Sequence, residues 1–188
     1  NKEIIDHSIE KSIDSKLFRK IIIVTNNINH FKKKKYPKLV KIIKGGKERS
    51  DSSLKALKYL ERYKPLNVYI HDAARPDFSA KLLEKISKNL KKNKAVVPFV
   101  TSKDSIKYKI KKQIFNLNRN NSILTQTPQA FRFKELYKFA CNEKNKVNDE
   151  ATLFLNQNHK IKFIPGENQN LKITYLNDIK TSKNFFGI

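Results

Sequence analysis

The sequence predicts an α/β fold with a mainly parallel sheet flanked by helices, on three observations. Short β-branched runs alternate with segments of helical period through the first hundred residues. After Val100 that alternation gives way to two short strands around a lysine-rich turn, with no helix of their own. Polar and charged residues gather at the ends of the apolar runs, where open α/β sheets bind ligands.

Along the chain, Ile4, Ile5, Ser8, Ile9 and Ile13 recur at helical spacing, so residues 2–15 read as an amphipathic helix. Lys20 to Thr25 and Val40 to Ile43 are buried strands, and Gly45-Gly46 makes a turn. Ser50 or Asp51 is expected to cap a helix running to about Tyr63. Asn67 to Ile70 is a strand, and Ser79 caps a helix whose apolar face is Leu82, Leu83, Ile86 and Leu90. Ala95 to Val100 is the next strand. Residues 105–109 and 113–117 form a hairpin, within an arm spanning about 101–122. An isolated hairpin is marginal in water, so it should pack on something else, most naturally a second copy of the chain. Lys134 to Asn142 is helical, Asn148 caps a further helix, 161–164 and 171–174 are strands, and Asn177 onward is a closing helix.

At 188 residues the chain is one domain that can bury a real core. Its lone Cys141 fits a reducing compartment, and no apolar run is long enough to span a bilayer. The chain has no Met and opens inside a helix, so its N-terminus reads as incomplete. The formal charge of +24 invites nucleic-acid binding, but the excess is nearly all scattered lysine accompanied by Asn and Ile. Lys32-Lys33-Lys34-Lys35, the one tight run, reads as a solvated loop.

The polar groups that need explaining are Gly45, Gly46, Arg49 and Ser52; Asp72 and Arg75; Arg119; Thr127 and Gln129; Asp149 and Glu150; and Lys172. Asp72 can hold a hydroxyl or metal and Arg75 a phosphate, with Ala73 and Ala74 letting a ligand near the backbone. A solvated Asp–Arg pair at a strand end explains the same residues as well. Lys172 in its apolar run points to water by spacing alone, Arg119 reads as solvated, and Asp149-Glu150 as a helix cap. The histidines lack metal-ligand spacing, which argues against zinc.

Taken together, these segments resemble the 2-C-methyl-D-erythritol 4-phosphate cytidylyltransferase family. The stretches that carry the resemblance are Gly45 to Ser52, His71-Asp72-Ala73-Ala74-Arg75-Pro76, Asp104-Ser105-Ile106-Lys107, Arg119 with Thr125-Gln126-Thr127-Pro128-Gln129, Asn148-Asp149-Glu150-Ala151, and Asn170-Leu171-Lys172-Ile173-Thr174. They occur in the family's order over nearly the whole chain. The resemblance implies a Rossmann-like nucleotidyltransferase fold, a homodimer joined through the hairpin arm, and magnesium or another divalent cation. It implies CTP and methylerythritol phosphate as substrates, no specific nucleic acid, no membrane, and a cytoplasmic location (or the plastid stroma in a plastid-bearing source). Asp72, Arg75, Arg119 and Lys172 would be catalytic, with Asp72 near the metal. Gly46, Ser52, Ala73, Ser105, Thr127 and Asp149 would bind substrate.

The chain departs from the family at Asn148, where Thr is usual, at Ser105, more often Thr, and at Leu176, often Pro. The family's glycine-rich phosphate loop is expected upstream of Asn1, so residues 1–188 alone are expected to be inactive. A second enzymatic domain after Ile188 occurs in some relatives. The alternatives are ribitol 5-phosphate cytidylyltransferase, disfavoured by Ala74 and by Glu150 after Asp149, and a basic nucleic-acid-binding or non-catalytic fragment.

Overall fold

The computed structural model describes residues 2–143 and 147–186. Helix α1 (Ile4–Asp14) leads into strand β1 (Ile21–Thr25), the short helix α2 (Ile28–Lys32) and strand β2 (Val40–Lys44). Helix α3 (Arg49–Glu61), β3 (Asn67–Ile70), α4 (Ala80–Leu90) and β4 (Ala95–Val100) come next. The arm is β5 (Ile106–Ile110) with β6 (Gln113–Leu117). Then come β7 (Leu124–Thr125), β8 (Gln129–Arg132), α5 (Phe133–Asn142), α6 (Glu150–Asn156), β9 (Lys162–Pro165) and α7 (Leu176–Phe186).

β1 and β2 pair in parallel, Ile21 opposite Val40 through Thr25 opposite Lys44. The main sheet runs β3–β8–β4, with β7 and β9 also on β4. β3 and β4 both lie antiparallel to β8, so they point the same way, and β9 is parallel to β4. The expected parallel direction therefore holds for β3, β4 and β9. The antiparallel β8 between the first two escapes the sequence pattern because only four residues form it and its entry is polar.

Side-chain alternation along these strands sorts the core into two layers. Val68, Ala95, Val97 and Phe131 face Leu57 of α3, Leu136 and Phe139 of α5, and Phe154 of α6. Val96, Ala130 and Ile164 face Phe78 and the Leu82, Leu83, Ile86, Leu90 stripe of α4. Ser79 caps α4 as expected, its Oγ accepting the N–H of Leu82 at 3.1 Å. On the open side of β3, a cleft of about 1130 Å³ separates it from β1 and is lined by both strands with α1, α3 and α4.

Several local expectations change. Glu48 caps α3, in a reciprocal box with Asp51 that satisfies two backbone donors at once. Asp149, one residue beyond Asn148, caps α6 because its carboxylate takes both the N–H and the hydroxyl of Thr152. Residues 171–174 form no strand; Ile173 donates its N–H to the carbonyl of Ala74, at 2.8 Å, and the segment lies along the 72–76 loop. Within the lysine run, Lys34 is tied to Asp6 at 2.7 Å and Glu3 at 3.0 Å rather than free in solvent.

The arm forms a two-stranded sheet of its own, and Tyr108, Ile110, Ile114, Phe115 and Leu117 along it are exposed. At the carboxyl ends of β4 and β9, Gly166 packs so tightly that a Cβ there would stand 2.3 Å from Gln126 Oε1. Gln126 holds the backbone of Glu167 in both directions, at 2.8 and 3.0 Å. Gly166→Ala is expected to displace that amide and destabilise the fold by about 1–3 kcal/mol, read as a lower urea midpoint with unchanged slope.

Candidate active site

The carboxyl ends of β3, β4 and β9 point to one place, and the entry to the antiparallel β8 meets them there. Asp72, two residues past β3, opens a turn closed by the Arg75 N–H on its own carbonyl at 2.9 Å. Its backbone N–H donates to Thr127 Oγ1 at 3.0 Å, which fixes the strand end against the entry to β8. Thr127 Oγ1 also lies 3.0 Å from His71 Nδ1, while His71 Nε2 lies 3.0 Å from the Arg75 carbonyl. A carbonyl can only accept, so Nε2 carries the proton and Nδ1 accepts from the Thr127 hydroxyl. Burial keeps this imidazole neutral, with its pKa lowered to about 4.

Three cations converge on the Asp72 carboxylate. Arg49 Nε stands 3.4 Å from Oδ1, while Lys172 Nζ at 3.3 Å and Arg75 Nε at 3.6 Å approach Oδ2. Burial would raise the Asp72 carboxyl, but Arg49, Lys172 and Arg75 together hold it below its ordinary range. Arg49 in turn forks onto Glu150, with Nη1 and Nη2 each 2.9 Å from a carboxylate oxygen. Burial works against the Arg49 charge, and the Glu150 and Asp72 carboxylates more than offset it, so its pKa rises.

Two buried amides hold the segment that carries Lys172. The Asn170 carbonyl accepts from Arg75 Nη1 at 2.9 Å and from Gln126 Nε2 at 3.2 Å. Asn170 Nδ2 donates to the Thr127 carbonyl at 2.8 Å. Arg75 Nε is buried and makes no hydrogen bond, its nearest carboxylate being Asp72 Oδ2 at 3.6 Å. Beside this cluster, burial pushes Asp149 up while bonds from Gln129, Thr152 and Thr125 bring its pKa below the ordinary value.

The structure thus gathers Asp72, Arg75, Lys172 and Thr127, with Ala73 exposed beside them and Asp149 held by Thr125 and Gln129 on the flanking strands. Lys172 reaches the carboxylate instead of pointing only to water, although its side chain stays 49% exposed. Thr127 is 4% exposed and its hydroxyl is occupied by Asp72 and His71, so it supports the site rather than facing a ligand. Gly46 and Ser52 form a second group at the start of α3, the Gly46 N–H donating to Ser52 Oγ at 3.0 Å. A Cβ on Gly46 would lie 2.2 Å from that of Asp51, so close packing on the helix already demands glycine there. Arg119 and Ser105 belong to the arm; Arg119 Nη1 donates to the Lys103 carbonyl at 2.9 Å, and Ser105 is exposed.

The sequence-based site set omits His71, Gln126, Asn170 and the Arg49–Glu150 fork. A histidine beside Asp72 was a visible signal; Asn170 gave none because asparagine abounds in this chain, and Gln126 gave none because nothing in its run marks it as buried. For a metal, among the described residues no three His, Cys, Asp or Glu side chains form a binding group. Asp72 offers one carboxylate, which matches the way magnesium is held when substrate phosphates supply its other ligands.

Protonation of His71 generates a pH prediction. Its folded pKa of about 4 lies below the ordinary 6.5, so its contribution is complete above pH 6.5 and is lost as pH falls towards 4. Urea unfolding across that window should show wild type losing up to about 3 kcal/mol more than His71→Gln does. Equal slopes for the two proteins would mean the imidazole is not held neutral.

Residues 1–187 match the family model of 2-C-methyl-D-erythritol 4-phosphate cytidylyltransferase, IspD. The chain is 44% identical over 180 residues to the bifunctional enzyme IspD/IspF of Pelagibacter ubique, covering 95% of this chain and 48% of that protein's length. It is 31% identical over 190 residues to the 2-C-methyl-D-erythritol 4-phosphate cytidylyltransferase of Thermosipho africanus, covering 95% of this chain and 83% of that one. Among solved structures, the 4-diphosphocytidyl-2C-methyl-D-erythritol synthase of Anaerococcus prevotii superposes with a TM-score of 0.86 at 28% identity, covering 100% of this chain and 87% of that one.

Proposed function

The chain belongs to the 2-C-methyl-D-erythritol 4-phosphate cytidylyltransferase family, and from that premise we propose that the whole protein joins CTP to 2-C-methyl-D-erythritol 4-phosphate. The products are 4-diphosphocytidyl-2-C-methyl-D-erythritol and pyrophosphate, a step in isoprenoid precursor biosynthesis. The fold is the Rossmann-like nucleotidyltransferase α/β fold, with a protruding hairpin. The observation that carries the reading is the convergence of Arg75 and Lys172 on Asp72 at the strand ends, where Arg75 Nε is ion-paired to Asp72 at 3.6 Å without a hydrogen bond of its own.

In the proposed reaction an oxygen of the sugar phosphate attacks the α-phosphorus of CTP in line. A new P–O bond forms as the bond to the β-phosphate breaks, and pyrophosphate departs with the electron pair. Such a transfer asks the protein chiefly for position and for charge opposite the phosphates. Lys172 and Arg75 hold the sugar phosphate, Asp72 receives the methylerythritol hydroxyls, and Ala73 leaves room for them. Asp149 and the arm's Ser105 line the sugar, while Gly46 and Ser52 meet the cytidine. Asp72 would be the protein ligand for magnesium or another divalent cation, which would neutralise phosphate charge there. The exposed apolar arm is what a second copy would cover, and in that dimer Arg119 of one chain serves the site of the other. No helix among the described residues is long and apolar enough to cross a membrane.

The test is pyrophosphate release by the full-length protein from CTP with methylerythritol phosphate and, separately, with ribitol 5-phosphate. Turnover with the first alone supports the reading; preference for ribitol phosphate, or no turnover with either, overturns it. Asp72→Asn is expected to lower turnover on the order of 10²-fold with folding intact. For the shared site, Arg119→Ala and Asp72→Asn proteins are mixed under conditions where subunits exchange. Each mixed dimer then has one site with both lesions and one with neither, so activity should reappear. Exchange without recovery would place Arg119 in its own chain's site.

A further inference from the structure

Glu150 is 1% exposed, which makes it a buried carboxylate in a chain that carries abundant lysine. Both of its oxygens are taken by one partner, the two terminal nitrogens of Arg49 at 2.9 Å each. A guanidinium is planar, so fixing both Nη atoms also fixes the direction of the Nε–H. That third donor points at Asp72 Oδ1, 3.4 Å away. The Asp72 carboxylate is therefore restrained on one oxygen, while Oδ2 is the oxygen that faces Arg75 and Lys172. Its backbone is restrained separately by Thr127. Arg49 is also the first residue of α3, directly after the Gly46–Glu48 segment, and Glu150 is the first residue of α6.

We infer that Arg49, clamped by the buried Glu150, is a positioning residue that sets the orientation of the Asp72 carboxylate and so presents Oδ2 to the reacting groups. The inference rests on the proposed transfer for its kinetic readout but not for its structural one. A bland role exists beside it: a buried ion pair that merely pins α3 to α6. The two roles diverge once the pair is replaced by apolar side chains of similar size, a change that is often neutral or stabilising for a fold. An α3–α6 pin survives that replacement; an oriented carboxylate does not.

The experiment uses the full-length protein and three variants, Arg49→Met/Glu150→Leu, Glu150→Gln and Arg49→Lys. Melting temperature, kcat and KM for both substrates, and the NMR line shape of the Asp72 side-chain carboxyl carbon are measured. The expected result is a folded double variant with a melting temperature near wild type, kcat reduced roughly 10- to 100-fold, and both KM values within about threefold. The Asp72 carboxyl carbon should change shift and broaden in the same variant. Arg49→Lys keeps the charge but loses the fork, so it should stay folded while kcat falls as in the double variant. Folded variants with kcat within about twofold of wild type and an unchanged Asp72 signal would overturn the inference. Failure of all three variants to fold would overturn it too, assigning the pair to the assembly of α3 on α6. Should wild type show no transfer, the functional reading fails, while the Asp72 signal still decides whether Arg49 orients the carboxylate.

Discussion

The hydrogen bond from the Asp72 N–H to Thr127 Oγ1 is the constraint on which the site depends. It ties the exit of β3 to the entry of β8, two elements 55 positions apart in the chain. The same hydroxyl donates to His71, whose other nitrogen closes on the Arg75 carbonyl, so both ends of the Asp72–Arg75 turn are referred to one side chain. Each bond alone is worth on the order of 1 kcal/mol, yet leaving any buried partner unmade costs more than its formation gains. That asymmetry makes the turn rigid. Asn170 extends the arrangement by bonding the Thr127 carbonyl with its amide and receiving Arg75 at its own carbonyl. The loop that carries Lys172 is thereby registered against the same strand end.

Those features were legible in the sequence where period or chain chemistry announces them. The α4 stripe of Leu82, Leu83, Ile86 and Leu90 repeats at helical spacing, and Ser79 stands where a cap must stand. The β-branched runs marked β1 to β4, but only β4 is buried along most of its length; β1 and β3 each bury one residue and β2 none, although its run reads as a buried strand. β8 did not announce itself, for its first residue is the buried Gln129 and its approach is polar. Residues 171–174 failed in the opposite direction. Leu171, Ile173 and their neighbours look like a strand, but the tertiary bond from Ile173 to Ala74 takes the place of a ladder.

At the site, Asp72 and Arg75 stand out as charged residues at the end of an apolar run, whereas Lys172 lies inside its run, points to water by spacing alone and enters only through the family resemblance. Arg49 and Glu150 were each among the polar residues that need explaining, but their pairing was not legible, since 101 positions separate them. The charge count was misleading in the same way. Most of the +24 is spread over exposed lysines, whereas the charges that shape the site are two arginines, one lysine and two carboxylates in mutual contact.

The contacts around Asp72 differ sharply in what it takes to break them. Removing Arg49 strands the buried Glu150 carboxylate, a loss of roughly 3–5 kcal/mol in comparable pairs, whereas Arg49 without Glu150 keeps Asp72 and some solvent. The Lys172–Asp72 pair is different: the lysine side chain is 49% exposed, and pairs that open to water are worth about 1 kcal/mol or less. An incoming phosphate with two negative charges competes well for such a cation and poorly for Arg49. Arg75 stands between these limits, anchored at Nη1 by the Asn170 carbonyl while its Nε meets Asp72 only at ion-pair distance, 3.6 Å. The carboxylate thus has one side held by a clamp that does not open and another held by cations a ligand can recruit. Binding can then rearrange Lys172 and engage Arg75 without disturbing the backbone that places Asp72.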